Sequence, residues 1–436
     1  MNDDVDREKA FFSGFKEGET SGPVAPSLRP GDHVGRYEVL RTLGEGGYGI
    51  VYLAQQKQPI KRQVALKIIK PGMDSRAVLA RFEAERQALA LLEHPHIARI
   101  IDAGATETGH PYFVMEYVVG TAITEFCDSH RLTIEERLRL FLDVCSAIQH
   151  AHQKGIIHRD TKPSNILVAD QEGIATPKII DFGVAKAMAG SSSDRSMVTE
   201  QGQLIGTPGY MSPEQVDMAE QAIDTRSDVY SLGTVLYELL VGVVPFDPDS
   251  LRSGGIDNLR KVVCKQDPPT PSTRLLTLGK EGSTIADARR IQIGSLKKRL
   301  NRELGWIPIK AMRKEKKKRY QSVAELATDI QYYLNGLPLI AGPESSAYRV
   351  SKFVRRYRVP VVATATVFVS LLIGLCVSVA LYFQAEDLRV VAVESQESER
   401  VQRETAEAER NRALAAEQKA QVVLVDLYEQ QTRTQL

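Results

Sequence analysis

Two short segments concentrate side chains that do chemistry. IIHRDTKPSNILV (156–168) supplies His158, Arg159, Asp160, Lys162 and Asn165, and KIIDFGVAK (178–186) supplies Asp181, Phe182 and Gly183. Two acids and an amide beside apolar, strand-like runs suit a magnesium–phosphate site, because Mg²⁺ takes hard oxygen ligands and shares them with substrate phosphates. Upstream, LGEGGYGIVYLA begins at Leu43 and places Gly44, Gly46 and Gly49 in G-x-G-x-x-G, followed by Val51. Glycines let backbone N–H groups approach phosphate oxygens with no Cβ in the way. The pattern alone also fits a dinucleotide-binding turn, which needs a helix after it. Here IVYLAQ and QVALKIIK follow, and both read as strands, so the glycines form a flap between strands. Lys67 is the lone charge in VALKII. A surface lysine is the plain reading; the flap before it favours a cation aimed at phosphate. A buried Lys67 needs a carboxylate. Glu85, in the helical stretch RAVLARFEAERQALALLEH, is the best placed, with Glu83 as its rival.

The elements that must position these groups follow from pattern. Residues 1–34 are polar and end in GPVAPSLRPGD, which reads as a flexible tether. β-rich runs dominate the next part, and helical patterns such as EERLRLFLDVCSAIQHAHQKG and SDVYSLGTVLYELLVG dominate later. The second puts Val229, Leu232, Val235, Leu236 and Leu239 on one stripe. Strands first and helices later, over about 300 residues, predict a two-lobed α+β domain. FVMEYVVG (113–120) interrupts an apolar run with Glu116, which is costly in a buried strand unless the acid reaches water or a partner.

Together these motifs resemble a Hanks-type (eukaryotic-like) bacterial membrane-anchored serine/threonine protein kinase, over about residues 37–335. The resemblance implies a bilobal protein-kinase fold, with a β-rich N-lobe and a helical C-lobe, and ATP with Mg²⁺ (Mn²⁺ as an alternative) as cofactors. It implies that the flap Leu43, Gly44, Glu45, Gly46, Gly47, Gly49 and Val51 covers ATP, and that Lys67 holds its α- and β-phosphates and pairs with Glu85. Asp160 would accept the substrate hydroxyl proton, Lys162 would lie near the γ-phosphate, and Asn165 and Asp181 would bind metal. MEYV becomes the hinge: Met115 the gatekeeper, the backbones of Glu116 and Val118 on the adenine edge, and Leu43, Val51, Ala65 and Leu167 around the ring. The same resemblance pairs Glu214 with Arg319 and has Asp228 brace the catalytic loop. Arg159 before Asp160 implies a loop ordered by phosphorylation, with Ser191, Ser192, Ser193, Ser196 and Thr199 as acceptors, Thr199 first; Thr207 is a structural hydroxyl. Thr161 departs from the apolar residue expected there and needs a partner for its hydroxyl. Pro308 is expected at a helix start. A rival reading, a catalytically silent scaffold, is opposed by the intact Lys67, Asp160, Asn165 and Asp181.

Charge and composition fill in the rest. Net charge is +1 with 25% charged residues, so nothing points to nucleic acid, and the basic run Lys314–Arg319 reads as a solvated helix end. The four cysteines show no zinc spacing and read as core fillers in a reduced compartment. VPVVATATVFVSLLIGLCVSVALYF (359–383) carries no charge. At about 1.5 Å per residue it spans roughly 37 Å, enough for a bilayer core of about 30 Å. SKFVRRYR before it and QAEDLR after it place the kinase in the cytoplasm and the tail outside the cell membrane, by the positive-inside bias. Residues 384–436 lack Gly and Pro and read as helix, single or coiled-coil-like. The expected organisation is a flexible segment 1–34, kinase domain 35–336, basic juxtamembrane segment 337–358, single transmembrane helix 359–383 and tail 384–436. Expected partners are protein substrates, the membrane, and a second copy acting in trans.

Overall fold

A computed structural model describes residues 28–46, 49–69, 91–171, 173–182, 207–217 and 223–433. Alternating apolar residues in its first part build an antiparallel sheet of six strands, β1 (His33–Val34), β2 (Tyr37–Gly46), β3 (Gly49–Gln56), β4 (Arg62–Ile69), β5 (Ile100–Ala105) and β6 (Pro111–Glu116), in the order β1-β2-β3-β4-β6-β5. The two-residue period of a strand sorts its side chains between two faces. Val64 and Leu66 of β4 join Ile50, Tyr52 and Val114 in one core. Ala65, between them, joins Leu43 and Leu53 on the other face, with Val51 and Met115 beside them. Lys67 is two residues beyond Ala65 and so shares that second face, opposite Val51 on β3 and Phe113 on β6.

Gly49 of the glycine flap is required by packing alone. Gly49 faces Ile69 across the β3–β4 ladder, and a Cβ there would sit 2.4 Å from the Ile68 carbonyl oxygen. No side chain fits at that separation.

The second lobe surrounds two helices, Ile134–Gln153 and Thr225–Val241. Thr133 and Glu136 close the first helix with a reciprocal capping box. In the second, fourteen of seventeen residues are buried, so it is a central axis rather than a surface helix with one apolar stripe. All five residues of the predicted stripe are fully buried. A small sheet joins β7 (Thr121–Ala122), just after β6, to β8 (Ile166–Gln171) and β9 (Ile174–Ile179), which follow the helix Ile134–Gln153. Ala98 N–H donates to Ile179 O at 2.9 Å and Ile179 N–H to His96 O at 2.8 Å, stitching β9 to the chain that enters β5.

Pro308 falls inside the helix Glu303–Ala311 rather than at its start. The helix begins five residues earlier than the proline signal suggested, and buried Leu304, Ile307 and Ala311 hold it to the core. Here tertiary packing outweighs the one lost N–H bond.

The chain divides into two compact units, residues 1–352 and 353–436. In the second, one helix runs from Arg358 to Arg433. Its apolar portion has mean hydropathy 2.4 and is long enough to cross a membrane, and its side chains there are exposed.

Gly233 lies where the central helix crosses Glu303–Ala311, and a Cβ there would be 2.6 Å from the Ala311 Cβ. Gly233→Val is expected to lower stability by about 1–3 kcal/mol through overpacking; urea melts of both proteins check this.

Candidate active site

The site is assembled around a buried acid. Asp228, in the first turn of the central helix, is fully buried. A carboxylate in such a place needs donors. It finds three: the His158 N–H at 2.8 Å, the Arg159 N–H at 2.8 Å and the His152 ring Nε2 at 2.7 Å. Burial pushes the Asp228 carboxyl up, but the His152 hydrogen bond and the nearby His152 and His158 charges outweigh it and hold it below its ordinary value. The acid thereby fixes the loop that carries Asp160. Arg159 takes φ of +62°, a left-handed conformation unusual for a non-glycine residue. Its N–H is held by Asp228 and its C=O accepts from Gln215 Nε2 at 2.7 Å, so both sides of the strained residue are pinned.

Within the loop, Lys162 Nζ lies 2.9 Å from Asp160 Oδ2. Asn165 Nδ2 donates to Asp160 O at 2.8 Å and to Asp160 Oδ2 at 3.1 Å. With the amide nitrogen turned toward Asp160, Asn165 Oδ1 is the acceptor end. The second segment is tied to the first by its backbone, since Ile180 N–H donates to Asn165 O at 2.9 Å. The His158 and Phe182 rings stack obliquely with centroids 4.7 Å apart. Asp181 also has positive φ, +59°, and its carboxylate meets the Lys67 ammonium. Lys67, Asp160, Lys162, Asn165 and Asp181, drawn from three separate stretches, therefore share one connected site.

The predicted ring-binding residues form two apolar patches. Leu43, Ala65, Val51 and Met115 cluster on the cleft face of the sheet. Leu167 and Val118 cluster with Ala98 and Ala169. Gly44 and Gly46 lie on β2, and Glu45 beside them is exposed. Glu116 ends β6, and Lys178 Nζ grips its carboxylate at 2.7 and 2.9 Å. That pair explains the lone acid in the apolar run: the Glu116 charge is neutralised at the strand's end. Glu85, its rival Glu83, Gly47 and the candidate acceptors Ser191, Ser192, Ser193, Ser196 and Thr199 lie outside the described residues. Thr207 immediately precedes the Pro208–Tyr210 turn.

Glu214 and Arg319 meet as expected, at 2.7 and 2.8 Å in a two-pronged pair, with Ser227 Oγ donating to Glu214 at 2.7 Å. Arg319 also donates to three backbone carbonyls, so the buried charges are fully hydrogen-bonded. Thr161 is buried, and its hydroxyl finds no hydrogen-bond partner among the described residues, at a cost of about 1–3 kcal/mol.

Sequence reasoning missed four partners: His152 on Asp228, Lys178 on Glu116, Gln215 on Arg159, and Glu238 on Tyr210. Each joins residues at least 28 positions apart, and no local pattern announces such a pair.

The protein kinase domain family matches residues 37–325. The serine/threonine-protein kinase PknB of Mycobacterium tuberculosis is 36% identical over 308 residues, covering 70% of this chain and 44% of that protein. PknB of Mycolicibacterium smegmatis is 35% identical over 300 residues, covering 68% and 42%. A probable serine/threonine-protein kinase of Clostridium perfringens is 34% identical over 298 residues, covering 68% and 38%. The chain thus spans less than half the length of these curated relatives. A double mutant of the PknI kinase domain of Mycobacterium tuberculosis has a solved structure that superposes with TM-score 0.50 at 25% identity, covering 70% of this chain and 98% of that one.

Tyr210 OH donates to Glu238 Oε2 at 2.5 Å. Burial pushes the Glu238 carboxyl up to about 7, against the opposing Tyr210 hydrogen bond; the Asp128 charge adds to the rise. An acid raised in this way holds its proton to higher pH when folded than when unfolded. Its contribution to stability therefore declines as pH rises from about 4.5 to about 7 and is flat above. Glu238→Gln should remove that decline, on the order of 3 kcal/mol, and thermal melts of both proteins across this pH window would show it.

Proposed function

The chain belongs to the protein kinase domain family, and from that premise we propose that it transfers the γ-phosphoryl group of ATP to serine or threonine hydroxyls of proteins. The observation that carries this reading is the single connected site of Lys67, Asp160, Lys162, Asn165 and Asp181. In the transfer, the substrate hydroxyl oxygen forms a bond to the γ-phosphorus, the bond from that phosphorus to the β–γ bridging oxygen breaks, and ADP leaves. Asp160, held by Asn165 and Lys162, accepts the hydroxyl proton. Lys67 binds the α- and β-phosphates, and Lys162 neutralises charge on the phosphoryl group in flight. Catalysis is then mostly positioning and charge stabilisation.

The residues present fit a divalent ion. Asp181 offers a carboxylate and Asn165 an amide oxygen, both hard donors. Among the described residues no group of three or more His, Cys, Asp or Glu could hold a metal alone, which suits an ion that completes its shell with phosphate oxygens and water. When bound, Mg²⁺ or Mn²⁺ supplies charge neutralisation to those phosphates. Adenine would lie between the Leu43–Val51–Ala65–Met115 patch and the Val118–Leu167 patch, along the Glu116 and Val118 backbones.

The membrane reading is part of this proposal. The apolar run 359–383 and the basic residues before it support a single-pass protein with its kinase in the cytoplasm and its tail outside. A second copy, brought close by the shared membrane, would phosphorylate the 191–199 segment in trans, and the resulting phosphate would pair with Arg159.

Asp160→Asn should reduce phosphotransfer to a protein substrate by about 10²–10⁴-fold without lowering thermal stability. Mass spectrometry of the same two proteins tests the loop: wild type should carry phosphate between residues 191 and 199 and the variant should not. Undiminished transfer by the variant would remove the catalytic assignment, whereas an unphosphorylated but active wild type would remove only the switch.

Protease added outside intact cells should trim only residues beyond the span. Loss of the kinase domain under those conditions would reverse the orientation.

A further inference from the structure

The helix Ser346–Arg356 has two faces with different tasks. One is fastened to the catalytic unit. Tyr348 packs edge-on against Trp306 with ring centroids 5.8 Å apart, and its hydroxyl accepts from the Leu339 N–H at 3.2 Å. Lys352 pairs with Glu303 at 2.6 Å. The opposite face carries Val350, Phe353, Val354 and, just past the helix end, Tyr357, spaced i, i+3, i+4 and i+7. At about 100° per residue these four fall within an arc of roughly 100°. They are 59%, 58%, 41% and 44% exposed. Four large apolar side chains in one exposed row call for a cover.

The chain itself indicates the cover. The uncharged run begins at Val359, two residues after Tyr357. From 346 to 358 there are five basic residues, Arg349, Lys352, Arg355, Arg356 and Arg358, and no acid. Lys352 is committed to Glu303 and Arg355 falls on the Tyr348–Lys352 face, so Arg349, Arg356 and Arg358 remain beside the apolar row. An apolar row flanked by cations fits the boundary between anionic headgroups and acyl chains. A second copy of the helix fits poorly, because it would bring the same cations against each other.

We propose that Ser346–Arg356 is a membrane-surface anchor for anionic phospholipid: Val350, Phe353, Val354 and Tyr357 enter the acyl boundary while Arg349, Arg356 and Arg358 meet the headgroups. The inference rests on the reading of residues 359–383 as a span, and the test separates the two.

Full-length protein is reconstituted into vesicles of phosphatidylglycerol and phosphatidylcholine, with and without bromine on the acyl chains. The emission that Phe353→Trp adds to the native Trp306 signal is compared with that added by Leu372→Trp inside the span. The expected result is quenching of both, by about twofold or more, with the Phe353→Trp signal independent of the protein-to-lipid ratio. For that signal, quenching should fall in pure phosphatidylcholine and in R349Q/R356Q. Quenching of Leu372→Trp without Phe353→Trp overturns the anchor and leaves the span intact. Blue-shifted but unquenched Phe353→Trp emission that grows with protein density assigns the row to a second copy and also overturns it. Quenching unaffected by phosphatidylglycerol or the two arginines overturns the anionic-lipid assignment. No quenching at either position overturns the span and the anchor together.

Discussion

Asp228 is buried without access to water, so its charge is tolerable only when donors surround it. Two of those donors are consecutive backbone N–H groups, of His158 and Arg159, and the third is the His152 ring. Satisfying the acid therefore determines where the chain runs just before Asp160. The positive φ of Arg159 is the local expense of that path, and the Gln215 hydrogen bond to its carbonyl completes the hold. Because Asp228 belongs to a helix with fourteen of seventeen residues buried, the loop inherits the rigidity of the core.

From that loop the order spreads by short steps. Asn165 fixes Asp160 through two bonds from one amide nitrogen, and its own carbonyl accepts from Ile180, which presents Asp181. Asp181 meets Lys67, the residue that strand alternation on β4 turns toward the cleft. Opposite charges thus alternate across the cleft from Lys67 to Asp181, and from Asp160 to Lys162. On the proposed function, phosphate oxygens would replace carboxylate on the lysines and a divalent cation would replace ammonium on the aspartate.

A second buried pair, Glu214 with Arg319, supports the floor beneath this site. Arg319 joins Glu214 to three carbonyls of the surrounding chain, and Ser227, a neighbour of Asp228, donates to the same acid. Asp228 and the Ser227 that holds Glu214 are therefore adjacent positions on one helix. Removing a partner from either acid would strand a charge in a medium that cannot solvate it. Their value lies in holding loops that lack repeating hydrogen bonds of their own.

The sequence by itself determined the strand-to-helix order, the glycine flap, the apolar run 359–383 and the family, because these are local periods, local composition and short motifs whose residues lie close together along the chain. It also named Lys67, Asp160, Asn165, Asp181, Glu214 and Arg319. Only tertiary structure decided which atoms these residues touch. The Lys178 partner of Glu116 is 62 positions away, and the His152 partner of Asp228 is 76. The start of the helix around Pro308 was misjudged from sequence because burial of Leu304 and Ile307 outweighs a proline signal that is purely local. The pattern of the central helix shows one stripe, yet the helix is buried on nearly every side, since Ser227, Ser231, Thr234 and Tyr237 are polar in sequence but hydrogen-bonded in place. A period records which residues share a face; it carries no information about what the fold brings to meet that face.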